Sequence, residues 1–289
     1  MSSSGTWKTR QKTVFVTGAA GGIGKETARQ LVAQGHNVAL VDLAVDAVEQ
    51  AAAELGDRAL PIAADVTDAH ALRRAAATTA RRFGGIDVAV ANAGLGILEP
   101  ILSGDRAKQQ LMLDVNLGGV LDTLRETAPY VIARRGYMLP IASGAAVSHL
   151  PLLGVYGATK AGVEALGDAL RTELLGRGVQ VGVGYFLFTR TAMLDGPGAQ
   201  NLPLLERGMG WPLNRHMPVE HVGSVIVRGI ERRGRRVYAP RLVGPMLPLR
   251  QLLGPVIEQQ FRLTGVVRAV EQIDTVAEPR GDQATALNA

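Results

Sequence analysis

The sequence predicts a doubly wound α/β protein, a parallel sheet covered by helices on both faces. Three observations carry that prediction. From Thr13 onward, short β-branched runs alternate with longer alanine-rich stretches of helical period, which is the sign of repeated βαβ units. Several of the runs are apolar throughout, as strands buried on both faces are. The first run passes through a glycine cluster, 18–24, straight into the first helical stretch, and such a junction lets backbone approach an anion.

Strands are expected at 13–17 (TVFVT), 37–42 (NVALVD), 59–63, 86–91 (IDVAVA), 137–142, 179–185 (VQVGVGY) and 236–239. Helical patterns fill 23–34, 44–55, 68–83, 105–134, 155–175 and 219–232. Thr67 and Asp105 are the expected N-caps, and Gly35, Gly56 and Gly176 stand where helices should stop. About seven strands with helices on both sides make a three-layer, Rossmann-like sheet. Neither an internal repeat nor a Pro/Ser linker divides the chain. It reads as an N-terminal extension (1–12), one domain (13–240), a basic and apolar extension (241–274) and a polar, aperiodic tail (275–289) expected to be flexible.

The chain has 289 residues, 47% hydrophobic and 20% charged, enough apolar matter for a core and too much for disorder. Its 35 glycines show no three-residue period, which excludes collagen. The absence of cysteine excludes disulfides, a thiol nucleophile and thiolate metal sites, and it fits a reducing, cytoplasmic setting. The first twelve residues lack the apolar centre of a secretory signal, and no apolar run approaches the ~20 residues that span a bilayer. The net charge of +5 is concentrated: residues 228–250 hold seven arginines against Glu231, and the rest of the chain is near neutral. A protein-wide nucleic-acid surface is therefore not expected, and nucleic acid is not an expected partner.

The glycine turn is the first functional signal. Gly18, Gly22 and Gly24 would let backbone N–H groups and a helix N-terminus reach a pyrophosphate. Asp42 closes the second strand 18 residues after Gly24, where a carboxylate accepts hydrogen bonds from ribose hydroxyls. A 2′-phosphate there would meet like charge, with no basic residue in Leu43, Ala44 or Gly21 to relieve it. NAD is thus expected over NADP. Capping of the next helix by Asp42 is compatible with that role.

The second signal is Tyr156 and Lys160, four apart on one helical face. A nearby cation favours phenolate and lowers a tyrosine pKa, so the pair can exchange a proton. Ser143 lies 13 residues earlier, just past a strand, where its hydroxyl can hold a substrate oxygen. On their own, Tyr and Lys at this spacing fit an exposed helix face better than a site. Together with TGAAGGIG at 17–24, Asn92-Ala93-Gly94 and Asn116, they resemble a short-chain dehydrogenase/reductase over roughly residues 10–240.

That resemblance implies roles. Tyr156 would be the general acid/base, and Lys160 would lower its pKa and bind the nicotinamide ribose. Ser143 would orient the substrate oxygen, and Asn116 would hold a water linking Lys160 to solvent. Asp65 and Val66 would contact the adenine, with Ile23 beside the glycine turn. Asn92, Ala93 and Gly94 would brace the fourth strand under the cofactor, and Thr191 would meet the nicotinamide carboxamide. One departure stands out: Phe186 and Leu187 occupy the place of the family's Pro-Gly, which is expected to narrow the pocket or shift the ring.

The expected reaction interconverts a secondary alcohol and a ketone. Residues 192–218 carry Met193, Leu194, Leu202, Met209, Trp211 and Met217, suited either to a bulky apolar substrate, lipid-, steroid- or terpenoid-like, or to a subunit interface. The family implies a homodimer or homotetramer. In 228–262, arginines precede Leu247, Leu249, Leu252, Leu253, Val256 and Ile257, a pattern for a lid, an oligomer contact or peripheral docking on an anionic membrane. The five histidines show no ligand spacing, so no metal is expected. Ser143 lacks a Gly-x-Ser-x-Gly setting, which argues against a hydrolase. The rival from another class is a nucleotide-sensing or scaffold protein of this fold, and the narrower rival is an NADP-dependent carbonyl reductase.

Overall fold

A computed structural model describes residues 4–210 and 213–274. The expected flexible tail and Trp211 lie outside the described residues. Six parallel strands form one sheet in the order β3-β2-β1-β4-β5-β6: β1 (Thr13–Thr17), β2 (Asn37–Asp42), β3 (Ala59–Ala63), β4 (Val88–Ala91), β5 (Tyr137–Pro140) and β6 (Gln180–Val181). β7 (Val183–Phe186) pairs in parallel with β8 (Arg236–Ala239) and continues the sheet through a bridge between Ile141 and Gly184.

Residues 179–185 were expected as one strand, and Gly182 interrupts them. A side chain there would overlap the Gly234 carbonyl and the Tyr137 hydroxyl, which donates to that carbonyl at 2.7 Å. Glycine is the residue that admits this crossing.

Side chains alternate across the sheet. Val14 and Val16 of β1 pack with Leu31, Val48 and Ile226 on one face. Phe15 packs with Leu72, Val120 and Val163 on the other. The first face is covered by α2 (Gly22–Ala33), α3 (Val45–Leu55) and α9 (Val219–Arg232); the second by α4 (Ala69–Phe83), α6 (Gly119–Ala133) and α7 (Gly154–Glu173). The chain crosses from β3 at one edge back to β4 beside β1. Strand order therefore reverses between β1 and β4, and a crevice opens at their C-terminal ends.

Several boundaries differ from expectation. The long helix of 105–134 is three pieces: α5 (Arg106–Leu113), a π-helical turn at Asp114–Gly118, and α6. Asp105 caps α5 as expected, accepting from the Ala107 and Lys108 N–H groups. Thr67 does not cap α4; Asp68 does, accepting from His70 N–H, because Thr67 is held in a turn on Asp65. α7 stops at Glu173, and Gly178, not Gly176, takes the left-handed conformation that ends the segment.

Beyond the sheet, further helices pack into the molecule. α1 (Ser4–Thr9) docks on α9, with Trp7 buried, its Nε1 donating to Ile230 O at 3.0 Å and Arg233 stacked 3.5 Å from its ring centroid. α8 (Leu202–Met209), α10 (Val243–Leu263) and α11 (Val266–Ile273) close a third apolar cluster around Leu205, Phe261 and Val266. Three of the late arginines have structural partners: Arg233 on Trp7, Arg236 on Asp168 and Arg250 on Glu164.

Candidate active site

The turn after β1 is shaped by what glycine leaves out. Gly18 and Gly22 have φ of +66° and +52°, where a side chain is strained. A Cβ on Gly18 would stand 2.8 Å from Ala93 Cα, and one on Gly24 would overlap the Gly18 carbonyl oxygen. The α2 N-terminus can thus lie against β1 with its N–H groups facing the crevice. Asn92 pins the next strand end here: its Nδ2 donates to the Thr17 and Gly18 carbonyls at 3.0 and 3.2 Å.

Thr17 completes that junction, its hydroxyl accepting from the Asn92 and Ala93 N–H groups at 3.1 and 3.2 Å. Sequence reading had counted Thr17 as the end of a strand. Its signal was a hydroxyl placed just before the first glycine.

Asp42 faces the same crevice. One carboxylate oxygen accepts from Ala20 N–H at 2.9 Å and the other from Ala44 N–H at 3.2 Å, so the acid is tied to the glycine turn and leads into α3. After β3, Asp65 accepts from the Thr67 N–H and hydroxyl, and Val66 packs against Gly119.

The reacting groups converge at the far end. Gly18, Gly22, Ile23, Asp42, Asn92, Ala93, Gly94, Ser143, Tyr156, Lys160 and Thr191 all line one cleft of about 370 Å³. Ser143 caps a short 3-10 turn, its Oγ accepting from Ala145 N–H at 3.1 Å. One turn into α7, Lys160 runs beneath Tyr156, its Nζ 5.7 Å from the ring centroid and donating to Ile141 O at 3.1 Å. Gly94 makes room for it, since a Cβ there would sit 3.3 Å from Nζ. Thr191 closes over Gly22, whose absent Cβ would meet its methyl at 3.2 Å.

Burial raises the pKa of the Tyr156 phenol, and a hydrogen bond with Ser143 opposes that rise. Burial also lowers the Lys160 ammonium to about 8. Asn116, for its part, spends its side chain on protein. Its Oδ1 accepts from Leu95 N–H and its Nδ2 donates to Leu95 O, each at 2.8 Å, with Thr159 Oγ1 at 3.3 Å. The π-helical turn brings Asn116 to that loop, a use of such turns common at functional sites.

On the substrate side the walls are apolar: Leu98, Leu150, Leu153, Leu202 and Met209. Of these, Leu98, Leu150 and Leu153 were not singled out in the sequence, because they come from loops without period. Phe186 and Leu187 also line the cleft. The Leu187 side chain fills the space above Gly144, where a Cβ would overlap its Cδ2, so the bulk that replaces Pro-Gly is accommodated by a glycine opposite. Behind Phe188, His216 lies 5.6 Å from its ring and meets Glu206 of α8 at 2.5 Å.

The residues fit a dinucleotide on the geometry alone: a cradle that any Cβ would fill, a helix N-terminus, and an acid one strand over. Comparison with known proteins agrees. A family model of the short chain dehydrogenases matches residues 12–201. A sorbitol dehydrogenase of Cereibacter sphaeroides is 37% identical over 172 residues, 59% of this chain and 67% of that protein. A serine 3-dehydrogenase of Agrobacterium fabrum is 37% identical over 58% of this chain and 68% of its own length. A short-chain type dehydrogenase/reductase from Mycobacterium marinum superposes with a TM-score of 0.72 at 26% identity, covering 82% of this chain and 97% of that one. The 3-ketoacyl-(acyl-carrier-protein) reductase of Brucella melitensis, solved with NADH, shares the fold, with a TM-score of 0.71 at 23% identity over 79% of this chain and 96% of its own. A phenol and an ammonium stacked beside a glycine-lined crevice at a strand-order reversal thus have a common setting, and this chain belongs to the short-chain dehydrogenase family.

Proposed function

We propose that this protein is an NAD-dependent oxidoreductase that interconverts an apolar secondary alcohol and its ketone. The observation that carries the reading is the convergence of Ser143, Tyr156 and Lys160 on the same cleft as the glycine turn and Asp42. Asp42 favours NAD, because its carboxylate already faces the turn through Ala20 N–H and would repel a 2′-phosphate.

A bound dinucleotide supplies the hydride acceptor and, when oxidised, a positive charge. Tyr156 moves the proton, taking it from the substrate hydroxyl during oxidation and returning it during reduction. Ser143 holds the substrate oxygen beside the phenol. Lys160, fixed on Ile141 O, keeps an ammonium under the ring. Burial raises the Tyr156 pKa in the chain alone, and the positive charge of an oxidised nicotinamide beside the ring would favour phenolate. The apolar wall from Leu98 to Met209 favours a lipid-, steroid- or terpenoid-like substrate.

We also read the working unit as a homodimer or homotetramer. Leu111 and Leu121 are exposed on α5 and α6, and Ala158, Ala165 and Ala169 give α7 a flat outer side; sedimentation velocity tests this.

The functional test pairs purified protein with NAD or NADP against sterols, long-chain alcohols, terpenoids and sugars, following reduced cofactor. Tyr156→Phe is expected to lower turnover by about a thousandfold or more while leaving the dissociation constant for NAD within a factor of two or so. Substantial residual turnover in that variant would remove Tyr156 from its role.

A further inference from the structure

The outer side of the C-terminal extension has a chemistry that the cleft does not use. Inward, Ile257 and Phe261 of α10 pack in the cluster of Leu150, Leu153 and Leu205, of which Leu150 and Leu153 also line the cleft. Outward, Leu249, Leu252, Val256 and Leu263 are 48%, 72%, 65% and 75% exposed. Positions 249, 252, 256 and 263 are spaced three, four and seven apart, with Pro245 exposed four before them, and that spacing is one stripe of an α-helix. Large apolar side chains in a continuous exposed stripe mark a contact surface, whereas single ones such as Leu43 do not.

The charges around the stripe select what it meets. Arg241 just ahead of α10, Arg262 beside Leu263 and Arg268 on α11 are exposed, with no ion pair among the described residues. Arg250 is held by Glu164. The one acid of α10, Glu258, lies about half a turn around the helix from Val256. Glu271 and Asp274 sit on or just past α11. From α8, Arg207 is exposed and Glu206 is taken by His216. An apolar stripe with no acid on it and unpaired guanidinium groups at both ends complements an anionic lipid surface. Among the described residues no helix is long and apolar enough to cross a membrane, so contact would lie in the interface plane.

We propose that α10 docks on an anionic lipid surface through Leu249, Leu252, Val256 and Leu263, and that apolar alcohol or ketone enters the cleft from that surface. Entry from lipid rests on the reading of an apolar substrate; docking does not. The test is flotation of the full chain with vesicles of phosphatidylcholine alone, or with phosphatidylglycerol added, at low and high NaCl. The chain is expected to float with phosphatidylglycerol vesicles. Binding should fall several-fold as salt shortens the screening length from about 10 Å to about 3 Å, and be weak on phosphatidylcholine alone.

The double variant L252E/V256E changes two exposed positions and should lose at least about tenfold in bound fraction with an unchanged melting temperature. L102E, on the exposed loop before α5, should float like the unaltered chain. No flotation, salt-independent flotation on both vesicles, or undiminished flotation of L252E/V256E overturns the proposal. So does a dimer in sedimentation that L252E/V256E converts to monomer while neither floats, which would make the stripe a contact with a second copy. Tyr156→Phe should float normally, so failure of the catalytic reading and failure of docking are read separately.

Discussion

On the dinucleotide side of the cleft, position is set by backbone. Gly18, Gly22 and Gly24 stand where a side chain would collide with Ala93, Thr191 or the Gly18 carbonyl, and Asn92 and Thr17 lock two strand ends together. On the substrate side, position is set by side chains arriving from distant segments: Leu98, Leu153, Leu205, Phe261 and Val266 share one cluster. The first kind of construction tolerates almost no change and takes one ligand shape. The second tolerates volume-conserving change.

That contrast can be tested by breaking one side at a time. The largest effect is expected at the junction of the two. Lys160→Met should lower turnover by more than about a hundredfold and yet stabilise the fold. The folded ammonium titrates at about 8 against 10.5 in its ordinary state, so between those values the unfolded chain holds the extra proton. Stability should therefore rise with pH through that window. Below it, burial of the charged lysine costs about 3 kcal/mol. The variant should melt higher at pH 7 and lose the pH dependence, which thermal denaturation at several pH values will show.

Phe261→Ala comes next. Emptying this site against Gly208 should cost about 3 kcal/mol and raise KM for an apolar alcohol, while NAD affinity by titration calorimetry stays unchanged. A parallel loss of NAD affinity would mean the two sides are mechanically coupled. Gly24→Ala is the converse. It should weaken NAD binding by about tenfold or more, with about 1–3 kcal/mol of lost stability, and leave the third cluster intact by hydrogen exchange at α10.

Smallest is Glu206→Gln, which removes the carboxylate partner of His216 on α8. The pair is part-exposed, so its loss should cost under about 1 kcal/mol and appear mainly as faster exchange of α8 amides.

The legibility of the molecule follows the same division. β1, β2, β3, β8 and α9 fall where the sequence put them, because each is a short apolar run or a strongly periodic helix bounded by glycine, asparagine or proline. The π-helical turn at 114–118 was invisible, since Asn116 leaves helical register only to reach the Leu95 backbone 21 residues earlier. α8 was not among the expected helices, because its helix packs its apolar side against Phe261 from a distant segment.

The amino-acid sequence by itself determined the order of strands and helices, the glycine turn, and the phenol and ammonium one helical turn apart. All are local, because hydrogen-bonding geometry and side-chain period act over a few residues. Tertiary structure alone decided that Leu187 presses on Gly144, that burial lifts the Tyr156 pKa and lowers that of Lys160, and that α10 turns one apolar side to the cluster around Leu205 and another to the outside. Those outcomes depend on which surfaces lose water together, and desolvation belongs to the assembled molecule and not to any stretch of chain.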